Sequence, residues 1–239
     1  MRENSGWDIE ESGPRSPSWN MHADSVRLDA LEPTSKPFLR FYEWDAPSAT
    51  YGYFVDPWDF FDQKGTAASG LVLAKRPTGG GIIFHLHDLA FSIIVPSSHS
   101  FYSLNSLYSY EEINRRILQA VSCVKLPSVI ALNAQEECSN SCRGGFCMAK
   151  PTKYDLLIDG RKCGGAAQRK TKNGLLHQGS LCLLLPKREW MEQVLKQGSS
   201  ISEAIEKTSY PLGEGGSNLT ELRSDLKWEI IRRFTDVIN

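Results

Sequence analysis

The chain has 239 residues, 41% of them hydrophobic and 23% charged, with a formal net charge of −1. Those values match an ordinary globular protein, sized for a single domain over 1–239 and long enough to bury a core without disulfides or metal. The near-neutral total excludes a dedicated nucleic-acid binder, which carries a basic excess.

The first residues, MRENSGWDIEESGPRSPSW, hold no apolar run after their charges and do not read as a signal peptide. The densest apolar stretch, Leu181 to Leu185, is too short to span a bilayer, so no membrane association is expected. Without a secretory signal, the cysteines at 123, 138, 142, 147, 163 and 182 read as free thiols of a cytoplasmic protein.

In chain order, residues 1–17 are polar and rich in Pro, Gly and Ser, a loosely ordered arm with one short strand around Trp7–Glu11. From Pro17 to Leu31, Trp19, Met21, Ala23, Val26, Leu28 and Leu31 predict a helix with one buried face, opened by Ser16 or Ser18. PFLRFYEW and ATYGYF predict two strands flanking the turn-like run from Asp45 to Ser48. A short helix over Pro57–Gln63 precedes the strand LVLAKR, and IIFHLHDLAFSIIVP predicts two more strands, tightly joined.

Tyr110 to Val124 places Ile113, Ile117, Leu118 and Val121 on one helical face. SVIAL is a strand, 134–151 a Cys- and Gly-rich loop, and KYDLLIDGRKCGGAAQ a hairpin turning at Asp159-Gly160. LLHQGSLCLLLP is a further strand. C-terminal helices fill 187–239, over about 187–208 and then from Asn218 to Ile238, with Leu219, Leu222, Leu226, Ile230 and Phe234 in register. Hairpins outnumber strand–helix–strand units, which predicts an α+β fold: a mixed, largely antiparallel sheet with packed helices.

Two segments carry the chemistry. In Lys75-Arg76-Pro77-Thr78-Gly79-Gly80-Gly81-Ile82-Ile83-Phe84-His85, three glycines after a strand bring bare backbone close to a ligand. Arg76 offers a fixed positive fork for a carboxylate, phosphate or polarised carbonyl. By itself such a run is equally a flexible turn. In Lys153 to Gln168, a lysine on a strand among small residues can point into a narrow pocket and stabilise an acyl carbonyl as charge develops. By spacing alone, a solvated lysine after a hairpin is the commoner case.

Taken together, the two segments resemble the lipoate-protein ligase A and octanoyltransferase superfamily, whose catalytic domain is shared with biotin protein ligases. The resemblance runs from Asn20-Met21 and Asp24, through Leu39-Arg40-Phe41-Tyr42-Glu43-Trp44 and Gly52-Tyr53-Phe54, to the glycine motif with His85. It continues over Asp159-Gly160-Arg161-Lys162, Gly165, Ala167-Gln168 and Gly179-Ser180. It implies a protein-lipoylation enzyme with Lys162 as essential lysine. Arg40, Arg76, Thr78, Gly79, Gly80, Gly81, His85, Gly165 and Ala167 would surround the acyl or acyl-adenylate group.

Cys147 distinguishes the branches. As C-x3-P-x2-Y-[D/E]-L before the hairpin strand, it resembles the nucleophile segment of cysteine octanoyltransferases. Those move an octanoyl group from acyl carrier protein to a lysine of a lipoyl-domain protein, such as glycine cleavage H protein or an E2 subunit of a 2-oxoacid dehydrogenase, and need no cofactor. A thiolate is the attacking form, and a neighbouring ammonium favours it. The spacing after His85 agrees with this branch. The alternative is a lipoate ligase, using ATP and Mg through a lipoyl-adenylate; a second is a degenerate, non-catalytic homologue. Leu86, where many members have Asp, and Gln178, where they often have His, depart from the pattern.

Cys138, Cys142 and Cys147 match no standard metal-ligand run, and no metal is expected. His85 and His87 alternate and would share a strand face, with His85 a hydrogen-bonded pocket residue. Cys123 and Cys182 sit in apolar company and read as core. Arg161, Lys162, Arg169, Lys170 and Lys172 form a local basic stretch, either a landing site for an acidic carrier or a solvated hairpin.

Overall fold

The computed structural model describes residues 6–103, 105–124, 130–134, 146, 151–213 and 218–235. Within them the elements run β1 (Asp8–Arg15), α1 (Pro17–Asp29), β2 (Phe38–Trp44), β3 (Ser48–Tyr51), a 3-10 turn (Pro57–Asp59) and α2 (Gln63–Ala68). Then follow β4 (Val72–Lys75), β5 (Ile82–His85), β6 (Asp88–Pro96), α3 (Ser106–Val124), β7 (Ile130–Leu132), β8 (Leu156–Ile158), β9 (Arg161–Lys170) and β10 (Gly174–Cys182). Helices α4 (Arg188–Val194), α5 (Gly198–Thr208) and α6 (Leu219–Thr235) close the chain.

Seven of these strands form one sheet in the order β1-β2-β6-β10-β9-β8-β7, and three form a second, β4-β3-β5. Only β1–β2 and β3–β4 pair in parallel among the described strands. The expected mixed, largely antiparallel α+β fold is therefore what the chain adopts.

Side-chain alternation builds the layers. Leu39, Phe41, Phe91, Ile93 and Leu181 pack with Ile113, Ile117 and Val121 of α3 and Leu226, Ile230 and Phe234 of α6. From the other face, Phe38, Ile94 and Leu176 meet Leu28 of α1. The interior strand β6 is buried along its whole length, which is why it reads as a nearly unbroken apolar run. The small sheet has its own core, in which Ala49 and Ile82 join Phe61, Phe146, Met191, Val194 and Ile205.

Several elements differ from expectation. Within the N-terminal arm, Asp8–Arg15 form a longer strand than expected, parallel to β2 from Asp8↔Phe38 to Arg15↔Trp44 with one irregularity between Glu11 and Pro14. In α1, capped by Ser16, the buried face is partly polar: Asn20 and Asp24 are inside, while Trp19 and Val26 are exposed. The neighbours β2–β3 and β5–β6 do not pair with each other; each pair splits between the two sheets, and β3 bonds β5 instead. Among the described residues no helix is long and apolar enough to cross a membrane.

Candidate active site

Lys162 is wholly buried on β9, and its Nζ lies 2.6 Å from Oδ2 of Asp155. The Asp159-Gly160 turn, with φ of 49° and 75°, folds the chain back so that residues seven apart in sequence meet. Asp155 also accepts from the Thr152 backbone N–H (2.7 Å) and hydroxyl (2.9 Å), and from the Tyr110 hydroxyl of α3 (2.6 Å). The Tyr110 oxygen in turn accepts from the Ala166 N–H at 3.2 Å. A buried charge pair is tolerable only when its remaining lone pairs are satisfied in this way.

Register places small residues over the lysine. Leu157 faces Lys162 while Leu156 faces Gly164, so Cys163 is an extra residue, a bulge in β9. Lys162 and Gly165 consequently share a side. A Cβ at Gly165 would fall 2.7 Å from Lys162 Nζ, so only glycine leaves the ammonium its place.

The glycine motif closes over the same strand. Gly80, at φ 84°, comes within van der Waals range of Ala167, a Cβ built on it lying 3.6 Å from that of Ala167. Arg76 is buried. Its guanidinium donates to the carbonyls of Gly79 (3.0 Å) and Gly81 (2.6 Å), and to the Thr50 carbonyl (3.0 Å) and hydroxyl (2.8 Å). The fork expected to hold a ligand thus shapes its own loop. Thr50 continues to His85 Nε2 at 2.7 Å, and His85 Nδ1 lies 2.7 Å from Asp88 Oδ2, which also accepts from Ser180 at 2.8 Å. Trp44 stacks on the His85 ring at 4.1 Å, and beyond them opens a cleft of about 370 Å³ that reaches Glu43, His87 and Arg223.

A second buried network ties α1 to the glycine motif. Thr78 donates to Gln178 Oε1 (2.9 Å), and Gln178 Nε2 donates to Asp24 Oδ2 (2.8 Å). Arg40 donates to Asp24 Oδ1 (2.8 Å), to Asn20 Oδ1 (2.6 Å) and to Ser12 Oγ (2.6 Å). Burial pushes the Asp24 carboxyl above the usual carboxylate range, against the opposing pull of Arg40 and Gln178. Arg40, expected beside the acyl group, has its guanidinium engaged in this knot between α1 and β2. The Gln178 departure is the link that joins Asp24 to Thr78.

On β10, His177 is fully buried, with Nδ1 3.0 Å from Gln168 and no hydrogen-bond partner for Nε2 among the described residues. Burial lowers its pKa to about 3, so it is neutral at pH 7.

The structure therefore brings Lys162, Gly165, Ala167 and Gly80 to one place, with Arg76 and Thr78 behind the loop and His85 on the far side of Thr50. Cys147, Cys138 and Cys142 lie outside the described residues. Phe146, next to Cys147 in sequence, bridges to Ile82 in parallel and packs its ring 5.6 Å from that of Phe84. His85 and His87 do not share a strand face, because β5 ends at His85 and His87 is exposed in the following turn. Cys123 is exposed, not core, and accepts from Arg233 at 3.0 Å; Cys182 is half-buried; among the described cysteines Cys163 is the buried one, its pKa pushed up to about 12 by burial. Of the basic stretch, Lys162 is buried, while Lys170 donates to the Ser103 carbonyl and lies over the Tyr102 ring. Among the described residues no group of three or more His, Cys, Asp or Glu is placed to hold a metal.

Tyr110, Asp155 and Thr50 were not singled out from sequence. Asp155 carried a usable signal, a carboxylate facing a lysine across an Asp-Gly hairpin. Tyr110, 45 residues from Asp155, carried none.

The chain is 33% identical over 181 residues to octanoyltransferase LipM of Geobacillus kaustophilus (strain HTA426), a match covering 74% of this chain and 65% of that protein. It thus spans just under two thirds of that relative's length. The fold is shared with the bi-partite lipoate protein ligase of Thermoplasma acidophilum, at TM-score 0.73 and 20% identity over 94% of this chain and 82% of that one. Lipoate-protein ligase A bound with ATP has TM-score 0.70 and 22% identity over 95% and 84% of the two chains. The family model of the lipoyl protein ligase A/B catalytic domain matches residues 16–234, and the chain belongs to that family.

Proposed function

We propose that the protein transfers an octanoyl group from acyl carrier protein to a lysine of a lipoyl-domain protein, through a thioester on Cys147. The observation that carries this reading is the buried Lys162 ammonium under Gly165, on the strand that the glycine loop covers. Likeness to an octanoyltransferase favours this branch over a ligase.

In the first half-reaction the Cys147 thiolate attacks the carrier's thioester carbonyl. The carbon–sulfur bond to the carrier breaks, and its thiol leaves with the proton that Cys147 gave up. In the second, the neutral amine of the acceptor lysine attacks the new thioester. The amide forms as the carbon–sulfur bond to Cys147 breaks, and the amine's proton passes to the departing sulfur, restoring the Cys147 thiol. In both, Lys162 holds its charge towards the carbonyl oxygen that becomes anionic, and the glycine loop keeps water from the acyl group. No cofactor is needed. Both partners are soluble proteins, which suits a cytoplasmic location.

Intact mass spectrometry after incubation with octanoyl-acyl carrier protein, without ATP, tests the proposal. The wild type should gain one octanoyl group and Cys147→Ala none. If neither gains mass, while lipoate with ATP and Mg modifies a lipoyl domain, the protein is a ligase and Cys147 is incidental. If no condition acylates a lipoyl domain, the homologue is non-catalytic.

A further inference from the structure

The carboxylate that meets Lys162 is aimed by a turn with a strained backbone. Asp155 donates its N–H to the Thr152 carbonyl at 3.1 Å, closing a four-residue turn over Thr152-Lys153-Tyr154-Asp155. Tyr154, third in that turn, has φ 66°. This is the left-handed region, where a Cβ crowds the backbone and glycine or asparagine ordinarily stands. Such a conformation persists only when its surroundings over-determine it, and it concentrates at functional sites.

The surroundings here are explicit. Asn114 of α3, 1% exposed, donates its side-chain N–H to the Tyr154 carbonyl at 2.9 Å. The Tyr154 N–H donates to the Asn133 carbonyl at 2.8 Å. Asn133 in turn donates its backbone N–H to the Asp155 carbonyl at 2.9 Å and its side-chain N–H to the Thr152 carbonyl at 3.1 Å. Tyr110, which donates to Asp155 Oδ1, lies one helical turn before Asn114, so a single face of α3 grips both the carboxylate and the turn.

Tyr154 directly precedes Asp155, so the sign of its φ sets the direction in which the Asp155 side chain leaves the chain. We propose that Asn114 is a positioning residue for Lys162: it holds Tyr154 in the left-handed conformation and thereby keeps Asp155 against Nζ. Neither Asn114 nor Tyr154 has to meet the acyl group, since both act through Asp155. The inference rests on the proposed function only in taking Lys162 as the group that faces the acyl carbonyl.

The test compares Asn114→Ala, Tyr154→Asn, Tyr154→Val and the double variant Asn114→Ala with Tyr154→Asn. Two quantities are read: trace labelling of Lys162 by acetic anhydride, located by peptide mass spectrometry, and steady-state octanoyl transfer. Tyr154→Asn should match wild type in both, because asparagine accepts the left-handed region. Tyr154→Val loses the same ring but puts a β-branched residue where it is least tolerated. It should label Lys162 faster and lower kcat about tenfold or more, with KM for the carrier unchanged; a shift of about 1 Å at a reacting group costs on the order of a hundredfold. Asn114→Ala should behave like Tyr154→Val, and adding Tyr154→Asn should recover most of its loss. Equal behaviour of the two Tyr154 variants, unchanged labelling in Asn114→Ala, or a double variant no better than Asn114→Ala would each overturn the assignment. Should Asn114→Ala fail to fold, the contrast between the two Tyr154 variants decides alone. Because labelling needs no turnover, a wild type that never forms the Cys147 thioester would refute the transferase reading and leave this measurement decisive.

Discussion

Lys162 Nζ and Asp155 Oδ2 lie 2.6 Å apart, with both side chains out of solvent. Removing one charge of a buried pair costs about 3–5 kcal/mol, since the other is left uncompensated. Asp155→Asn keeps the shape that Thr152 and Tyr110 recognise while stripping the ammonium of its counter-charge. Urea denaturation at pH 7 should show a loss in that range, and a loss under 1 kcal/mol would mean the pair is not held as described.

Gly165→Ala separates stability from activity. Its new methyl meets Cε and Nζ of Lys162 at 2.6 and 2.7 Å, the far end of a flexible side chain. The lysine should move while the strand stays. A displacement of about 1 Å at a reacting group costs on the order of a hundredfold in rate. Single-turnover acylation should fall by that order, with a melting temperature within a few degrees of wild type.

His177 makes stability depend on acidity. Its folded pKa, about 3, lies below the ordinary value of 6.5 for histidine, so between those limits the unfolded chain binds the extra proton. Stability from this group is thus fully present above pH 6.5 and falls as the pH drops, by about 1.4 kcal/mol per pH unit. Between pH 6.5 and 5 the wild type should lose roughly 2 kcal/mol more than His177→Phe does. Parallel loss in both proteins, measured by urea titration, would remove His177 as the cause.

Asp88 supplies the carboxylate that orients His85, at 2.7 Å from Nδ1, although the family pattern places an acid at 86. Leu86→Ala should therefore leave turnover within about threefold. Asp88→Ala should reduce it at least tenfold, because the imidazole loses the partner that fixes its tautomer. Steady-state transfer to a lipoyl domain distinguishes the two.

Local signals in the sequence carried much of this. The Asp-Gly turn fixed the hairpin, and the period of Ile113, Ile117 and Val121 fixed α3. Those are interactions between near neighbours along the chain. The contacts that complete the site join distant segments: Tyr110 reaches Asp155 across 45 residues, and Thr78 reaches Gln178 across 100. Arg40 was placed beside the acyl group by resemblance alone, and a cation on a strand carries no mark of what lies opposite. Only the packing of α1 shows that Asp24 and Asn20 occupy its nitrogens. Trp19 and Val26 misled for a related reason, since the buried stripe of that helix includes the polar residues that answer Arg40.

The extra residue at Cys163 has a consequence for how this stretch can vary. Side chains alternate along a strand, so two residues three apart share a side only because Cys163 is extra. If the bulge were ironed out with the count kept, Lys162 and Gly165 would point to opposite surfaces. Deleting Cys163 along with the bulge would leave them two apart and again on one side. Count and irregularity can therefore change only together, and descendants that retain the chemistry must keep both or lose both.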